Sequence, residues 1–364
     1  MIALGVFLHS VGGFAAGTFY IPFKKVRNWA WESYWLMGGF FAWIVAPLVV
    51  AILTVPDLAG VLRAAPAKSL IWSYVFGLLW GVGGLTFGLS MRYLGMSLGY
   101  AIALGFCAVF GTIVPPVYLG RFLELLSTAS GLTMLAGVAV CLLGISVCGL
   151  AGMRKEKELS SEQKTETIKE FDFVRGLTVA IFAGVMSACM AFGIAAGEPI
   201  AELATEHGVG ELWQNSPVFV VVLLGGFTTN FFWCVFLNAR NRSGKDYIDG
   251  SRSPLVNNYI FSAMAGVTWY FQFMFYGMGA TKMGDYKFSS WTIHMAFIIV
   301  FSNMWGLIFR EWKGCSSRTV RTVIIGILVV LFSTIVVGRG NYLREQEKKA
   351  EPSTTVAEGV SHGA

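Results

Sequence analysis

Apolar stretches of roughly 20 residues recur along almost the whole chain, separated by short polar segments, and that spacing leaves few folds open to it. A helix of that length crosses a hydrocarbon layer about 30 Å thick with its backbone N–H and C=O groups paired internally, as lipid demands. Composition agrees: 55% of the 364 residues are hydrophobic and 13% are charged, and the mean hydropathy of +0.64 is far from that of a water-soluble domain. The expected fold class is an all-α integral membrane protein. Ten transmembrane helices are read at 2–23, 33–54, 70–91, 96–119, 131–151, 174–197, 216–238, 257–280, 289–309 and 320–338. The first span has no basic residues before it and is followed by Lys24, Lys25 and Arg27, so it reads as a retained anchor rather than a cleaved signal.

Three residues of the first half, Trp80, Gly88 and Gly95, return 189 positions later as Trp269, Gly277 and Gly284. At the same offset Arg121, Gly137 and Gly149 return as Arg310, Gly326 and Gly338. Gly38-Gly39-Phe40 returns at an offset of 187 as Gly225-Gly226-Phe227, and Gly5 and Gly13 align with Gly176 and Gly184. A repeat of five spans places its second copy upside down, so two inverted five-helix repeats are expected, an arrangement by which secondary transporters build a site near the bilayer midplane. The expected organisation is a first repeat at 1–151, a charged cytoplasmic linker at 152–173, a second repeat at 174–338 and a disordered tail at 339–364. Small-xxx-small pairs such as Gly13 with Gly17 and Gly77 with Gly81 suit close helix approach.

The net charge of +6 arises from Lys and Arg in loops and tail, where it acts as an orientation signal rather than a nucleic-acid footprint. Roughly two-thirds of these cations fall on one side if both termini lie outside, so N-out and C-out is favoured. The six Cys sit in or beside apolar spans without a CxxC pair, and they read as small hydrophobes. No metal, cofactor or enzyme motif is expected: HExxH and Walker A patterns are absent. Asn241-Arg242-Ser243 matches a glycosylation sequon, but the topology puts it inside.

Phe19-Tyr20-Ile21-Pro22-Phe23-Lys24-Lys25-Val26, then Trp29-Ala30-Trp31-Glu32, then Gly88-Leu89-Ser90-Met91-Arg92-Tyr93-Leu94-Gly95-Met96-Ser97, and finally Ser290-Trp291-Thr292-Ile293-His294-Met295 together resemble the L-rhamnose/proton symporter (RhaT-like) family of the drug/metabolite transporter superfamily. The resemblance covers roughly residues 2–338. It implies a multi-pass permease of the bacterial inner membrane that takes up L-rhamnose or a similar 6-deoxyhexose together with a proton, with the lipid bilayer as its other partner. Nothing functional carries over onto the charged linker or the tail.

At 1.5 Å of rise per residue, Trp80 lies roughly 15 Å into its span and Trp269 roughly 18 Å into its own, both near the midplane. Aromatic rings stack on the C–H faces of pyranoses, so these two are expected as a clamp, with Gln272, Asn230, Tyr270 or Tyr276, and Trp291 as partners for the sugar. The competing reading of each aromatic is a core or lipid-facing residue. Ionisable groups inside a bilayer form a short list of His9, Glu32, Arg92, Glu198, Asp285 and His294. His9 and His294 share a depth about 10 Å and about 9 Å below the outer surface and suit proton coupling. Glu198 is the rival carboxylate, and Glu32 is a further proton-coupling candidate. Glu32 and Arg92 are also placed to form an inner gate. An exporter of amino acids or other small metabolites, and a membrane sugar sensor that does not transport, stay open as alternatives.

Overall fold

The computed structural model describes residues 2–118, 122–160, 162, 168, 170–283 and 290–350, and among these all regular secondary structure is helical. Among the described residues seven helical runs are long and apolar enough to cross a membrane: Ala3–Phe23, Trp31–Thr54, Ala67–Gly95, Ala129–Glu158, Phe173–Glu206, Glu211–Asn241 and Ser317–Arg344. The expected spans 96–119 and 289–309 contain shorter apolar helices, Leu98–Gly111 and Ile293–Ile308. The expected span 257–280 lies in a 28-residue helix that also carries Asn257, Asn258, Ser262, Thr268 and Gln272.

The elements run α1 (Ile2–Thr18), α2 (Tyr20–Phe23), α3 (Trp31–Phe40), a π turn (Phe41–Val45), α4 (Ala46–Thr54), α5 (Leu58–Ala64), α6 (Ala67–Tyr118), α7 (Phe122–Ser127) and α8 (Ala129–Glu158). They continue with α9 (Phe173–Ser187), α10 (Cys189–Ala196), α11 (Glu198–Glu206), α12 (Ser216–Asn241), α13 (Leu255–Lys282), α14 (Ser290–Ile308) and α15 (Ser317–Ala350). The long α6 is broken at Gly95, whose φ of 82° is open to glycine but strained for a residue with a Cβ. Ile168 and the Glu311 carboxylate crowd the position a Cβ would take there.

Glycines set the helix crossings, because in lipid the contact itself must supply the attraction. In α1, Gly5 meets Gly279 and Met283 while Gly12 meets Gln272, a reversed order that makes α1 antiparallel to α13. Gly13 and Gly17 meet Phe297 and Phe301 in the same order, so α1 is parallel to α14. On α9, Gly176 meets Tyr93 and Leu94, and Gly184 meets Ala103 and Cys107 beyond the Gly95 break. Gly77 and Gly81 of α6 lie against Val222 and Gly226 of α12, and Gly266 of α13 lies against Gly38 of α3. α8 and α15 pack antiparallel, with Gly144 on Val330 and Gly137 on Val337.

Two helices run on past the spans read from the sequence. α8 continues past Ala151 to Glu158, so part of the expected linker is helical, because Lys155 turns inward and donates to the Glu311 backbone carbonyl at 2.7 Å. α15 continues to Ala350, so residues 339–350 of the expected tail are helical, and Glu347 there accepts hydrogen bonds from the Ser130 backbone and hydroxyl. Arg121, Gly284, Asp285 and residues 351–364 lie outside the described residues.

Candidate functional site

α1, α6, α9, α10, α13 and α14 surround a small cavity with about 60 Å³ of free space. The aromatic side chains of its wall are Phe19, Trp80, Phe87, Tyr100, Trp269, Phe273, Tyr276 and Trp291. One face of α13 supplies Trp269, Gln272, Phe273 and Tyr276, offsets of 3, 4 and 7 from the first that put all four on one helical stripe. α6 contributes from both sides of the Gly95 break, Trp80 before it and Leu104 and Cys107 after it.

Five of the polar groups on this wall have unused hydrogen-bonding capacity, unlike the Tyr100 hydroxyl, which donates to the Ala16 carbonyl. The Gln272 amide, the Tyr276 phenol and the Ser187 hydroxyl make no side-chain hydrogen bond among the described residues, and Trp291 Nε1 and His294 Nδ1 are buried without a partner. An unpaired buried polar group costs on the order of 1–3 kcal/mol, so a cluster of them facing one space is expected to meet a polar ligand there. Around them the wall is apolar.

Trp80 and Trp269 both line the cavity, but they do not form the expected clamp. Their rings are in edge contact, centroids 6.3 Å apart and planes at 67°, which leaves no slot between them for a pyranose. The reason is crowding: Phe19 stacks on Trp269 at 4.3 Å, and Trp43, turned inward by the π turn, sits 5.9 Å from Trp80 and 5.2 Å from Trp269. Trp80 reaches this position by packing over Gly226, where any side chain would overlap the indole.

His294 lines the cavity, and His9 lies behind it with ring centroids 5.8 Å apart. Tyr276 touches both rings, at 5.3 Å and 5.6 Å. Both nitrogens of His9 are buried without partners, and its ring fills the space left by Gly279. The two imidazoles are thus brought together from α1 and α14.

Other expected site residues lie elsewhere. Asn230 is fully buried and spent: its oxygen accepts from Trp35 Nε1 at 2.9 Å, and its nitrogen donates to the Gly81 and Gly226 carbonyls at 3.0 and 2.8 Å. It holds α12, α6 and α3 together and offers nothing to a sugar. Tyr270 is 1% exposed and points off the cavity stripe, one residue out of register with Trp269. Glu198, at the start of α11, is exposed on the surface of the chain rather than buried at the cavity. Glu32 and Arg92 do not pair: Arg92 Nε meets Glu170 at 2.6 Å, and Glu32 accepts from Asn241 and Ser243. The partner of Arg92 comes from the linker, which packs against the α6 break. Sequence reasoning missed Ser187, Tyr100 and Cys107 because small or aromatic residues in an apolar span carry no signal. It missed Lys155 and Glu311 because they read as loop charges.

Long apolar helices around an aromatic cavity with unpaired polar groups are the build of a membrane permease for a small polar solute. The chain belongs to the L-rhamnose-proton symport protein (RhaT) family, whose model matches residues 1–342. It is 36% identical over 342 residues to the L-rhamnose-proton symporters of Mannheimia succiniciproducens, Pectobacterium carotovorum and Yersinia pestis, covering 93% of this chain and 98% of each relative.

Proposed function

We propose that this protein is a secondary transporter that takes up L-rhamnose, or a closely related 6-deoxy sugar, in symport with a proton across the bacterial inner membrane. The observation that carries the reading is the cavity itself: free hydrogen-bonding groups on Gln272, Tyr276, Ser187, Trp291 and His294 set among aromatic rings. Such a wall suits a solute with hydroxyls on some edges and C–H and methyl groups on others. In this reading Trp80 and Trp269 offer ring edges to the apolar face, while His294, backed by His9, takes up the proton. Movement of a proton down 100 mV yields about 2.3 kcal/mol, roughly fifty-fold accumulation per coupled charge.

The proposal includes ten crossings arranged as two inverted halves, 1–151 and 174–338, with both termini outside. Reciprocal packing supports it. Gly5 touches Lys282 and Met283, and its repeat partner Gly176 touches Tyr93 and Leu94, the residues 189 positions earlier. Gly77 on Gly225 is matched by Gly266 on Gly38 in the same way. The parallel and antiparallel pairings above are those that ten alternating crossings require.

The deciding test is uptake into liposomes. Protein under an inward proton gradient accumulates labelled L-rhamnose, and a protonophore abolishes the accumulation while leaving sugar exchange. Accumulation that survives the protonophore sinks the symport reading, and equal competition by unrelated sugars sinks the substrate reading.

A further inference from the structure

Glu32 is an acid among cations, and Asn241-Arg242-Ser243 is a sequon with no glycan reading; in the fold the two meet. Glu32, 4% exposed, accepts from Asn241 Nδ2 at 3.0 Å and from Ser243 Oγ at 2.6 Å. The 3-10 turn Ser243–Tyr247 follows, and its Asp246 Oδ2 accepts from the Ala30 backbone N–H and the Ser33 hydroxyl, both at 2.7 Å. Ala30 is the N-cap of α3 and has no side-chain cap of its own. A carboxylate from 216 residues away therefore takes the capping role, beside the positive end of the helix dipole.

The fastening continues on both sides. Asn238 Oδ1 lies 3.1 Å from the Ser33 hydroxyl and 2.9 Å from that of Ser243, and Asn238 Nδ2 donates to Tyr247 at 3.0 Å. Asn258 clasps the Arg27 backbone through its N–H and C=O, and Trp29 Nε1 donates to Ser253. At the opposite ends of α4 and α12, Thr54 and Ser216 meet at 3.4 Å, long for two hydroxyls, beside the Lys282–Glu211 ion pair.

Behind this latch stands a column of indoles. Trp31 stacks on Trp35 at 5.1 Å, and Trp35 touches Trp269, at the cavity wall, at 5.4 Å. α3 carries the first two rings, so whatever fixes the start of α3 fixes the column.

We propose that Glu32 and Asp246 are positioning residues that hold the Lys24 and Arg27 end of the transporter shut, by fastening the start of α3 to the turn after α12. The inference rests on the transport reading above. Release of sugar through that end requires the latch to part and the indole column to separate.

The test uses Glu32→Gln and Asp246→Asn in the full-length protein, in intact cells and in inside-out vesicles. A charged, membrane-impermeant maleimide is applied, and its reaction is read by mass spectrometry at the native cavity thiol Cys107. Labelling from the Lys24 side is expected to rise about tenfold in both variants, with proton-driven accumulation reduced and sugar exchange retained. Ser243→Ala, a milder change, gives a smaller rise in the same direction. Asp57→Ala, which removes the ordinary cap donated to by Gly60 N, leaves labelling at the wild-type rate. Unchanged Cys107 labelling in variants that melt like the wild type overturns the latch. Raised labelling in the variants, with a wild type that moves no L-rhamnose, overturns the transport reading and leaves the latch standing.

Discussion

Gly266 and Gly38 touch backbone to backbone: a methyl group on Gly266 would stand 2.1 Å from the Gly38 carbonyl oxygen. The Gly77 position is blocked in the same way, 2.1 Å from the Val222 carbonyl. Both contacts are between rigid backbones, so no side chain can move aside to relieve them.

Gly266→Ala and Gly77→Ala are therefore each expected to lower stability by on the order of 1–3 kcal/mol. Gly84→Ala, where nothing lies within 4 Å, is the matched control. Thermal unfolding in detergent, followed by size-exclusion, separates them. Equal melting of all three would refute the crossing argument.

Asn230→Ala strands the Trp35 indole N–H inside the bundle and removes the second hydrogen bond of the Gly81 and Gly226 carbonyls. The expected cost is on the order of 3 kcal/mol, seen as a lower melting temperature. Sugar affinity of the folded fraction should stay at the wild-type value, since Asn230 is away from the cavity. A large loss of affinity with unchanged melting would return Asn230 to the site.

Trp269→Ala removes a ring that lines the cavity and is held there by Phe19, Trp43 and Trp35. Sugar exchange should show a KM raised about tenfold, equivalent to about 1.4 kcal/mol. Trp72→Ala, an exposed residue on the outside of α6, should leave KM unchanged. A KM for Trp269→Ala like that of the wild type would remove the ring from the sugar's wall.

His294→Gln keeps hydrogen-bonding capacity but cannot take up a proton. In the proposed mechanism it abolishes accumulation under a proton gradient while exchange of labelled for unlabelled sugar continues. His9→Gln is expected to weaken coupling less, because His9 lies behind His294 rather than on the cavity. Full accumulation by His294→Gln would shift the proton elsewhere.

Part of the cavity was legible along the chain. Trp269, Gln272 and Tyr276 share one helical stripe, and Trp291 and His294 share another, so periodicity alone groups them. The Glu32 and Arg92 pair was not legible. Charge and depth suggested a direct ion pair, but Glu32 found neutral donors 209 and 211 positions away, and Arg92 found Glu170 in the linker. Nothing local to either residue carries that information.

Sequence by itself determined that the chain must lie in a membrane, because apolar length is a property of the linear chain. Tertiary structure decided which polar side chains are used up and which are left free. Asn230 and Gln272 are both amides in apolar helices, and only the packing of α3 and α6 around Asn230 spends one and leaves the other facing the cavity. Hydrogen bonding in lipid is settled by neighbours in space, and those neighbours stand far apart in sequence.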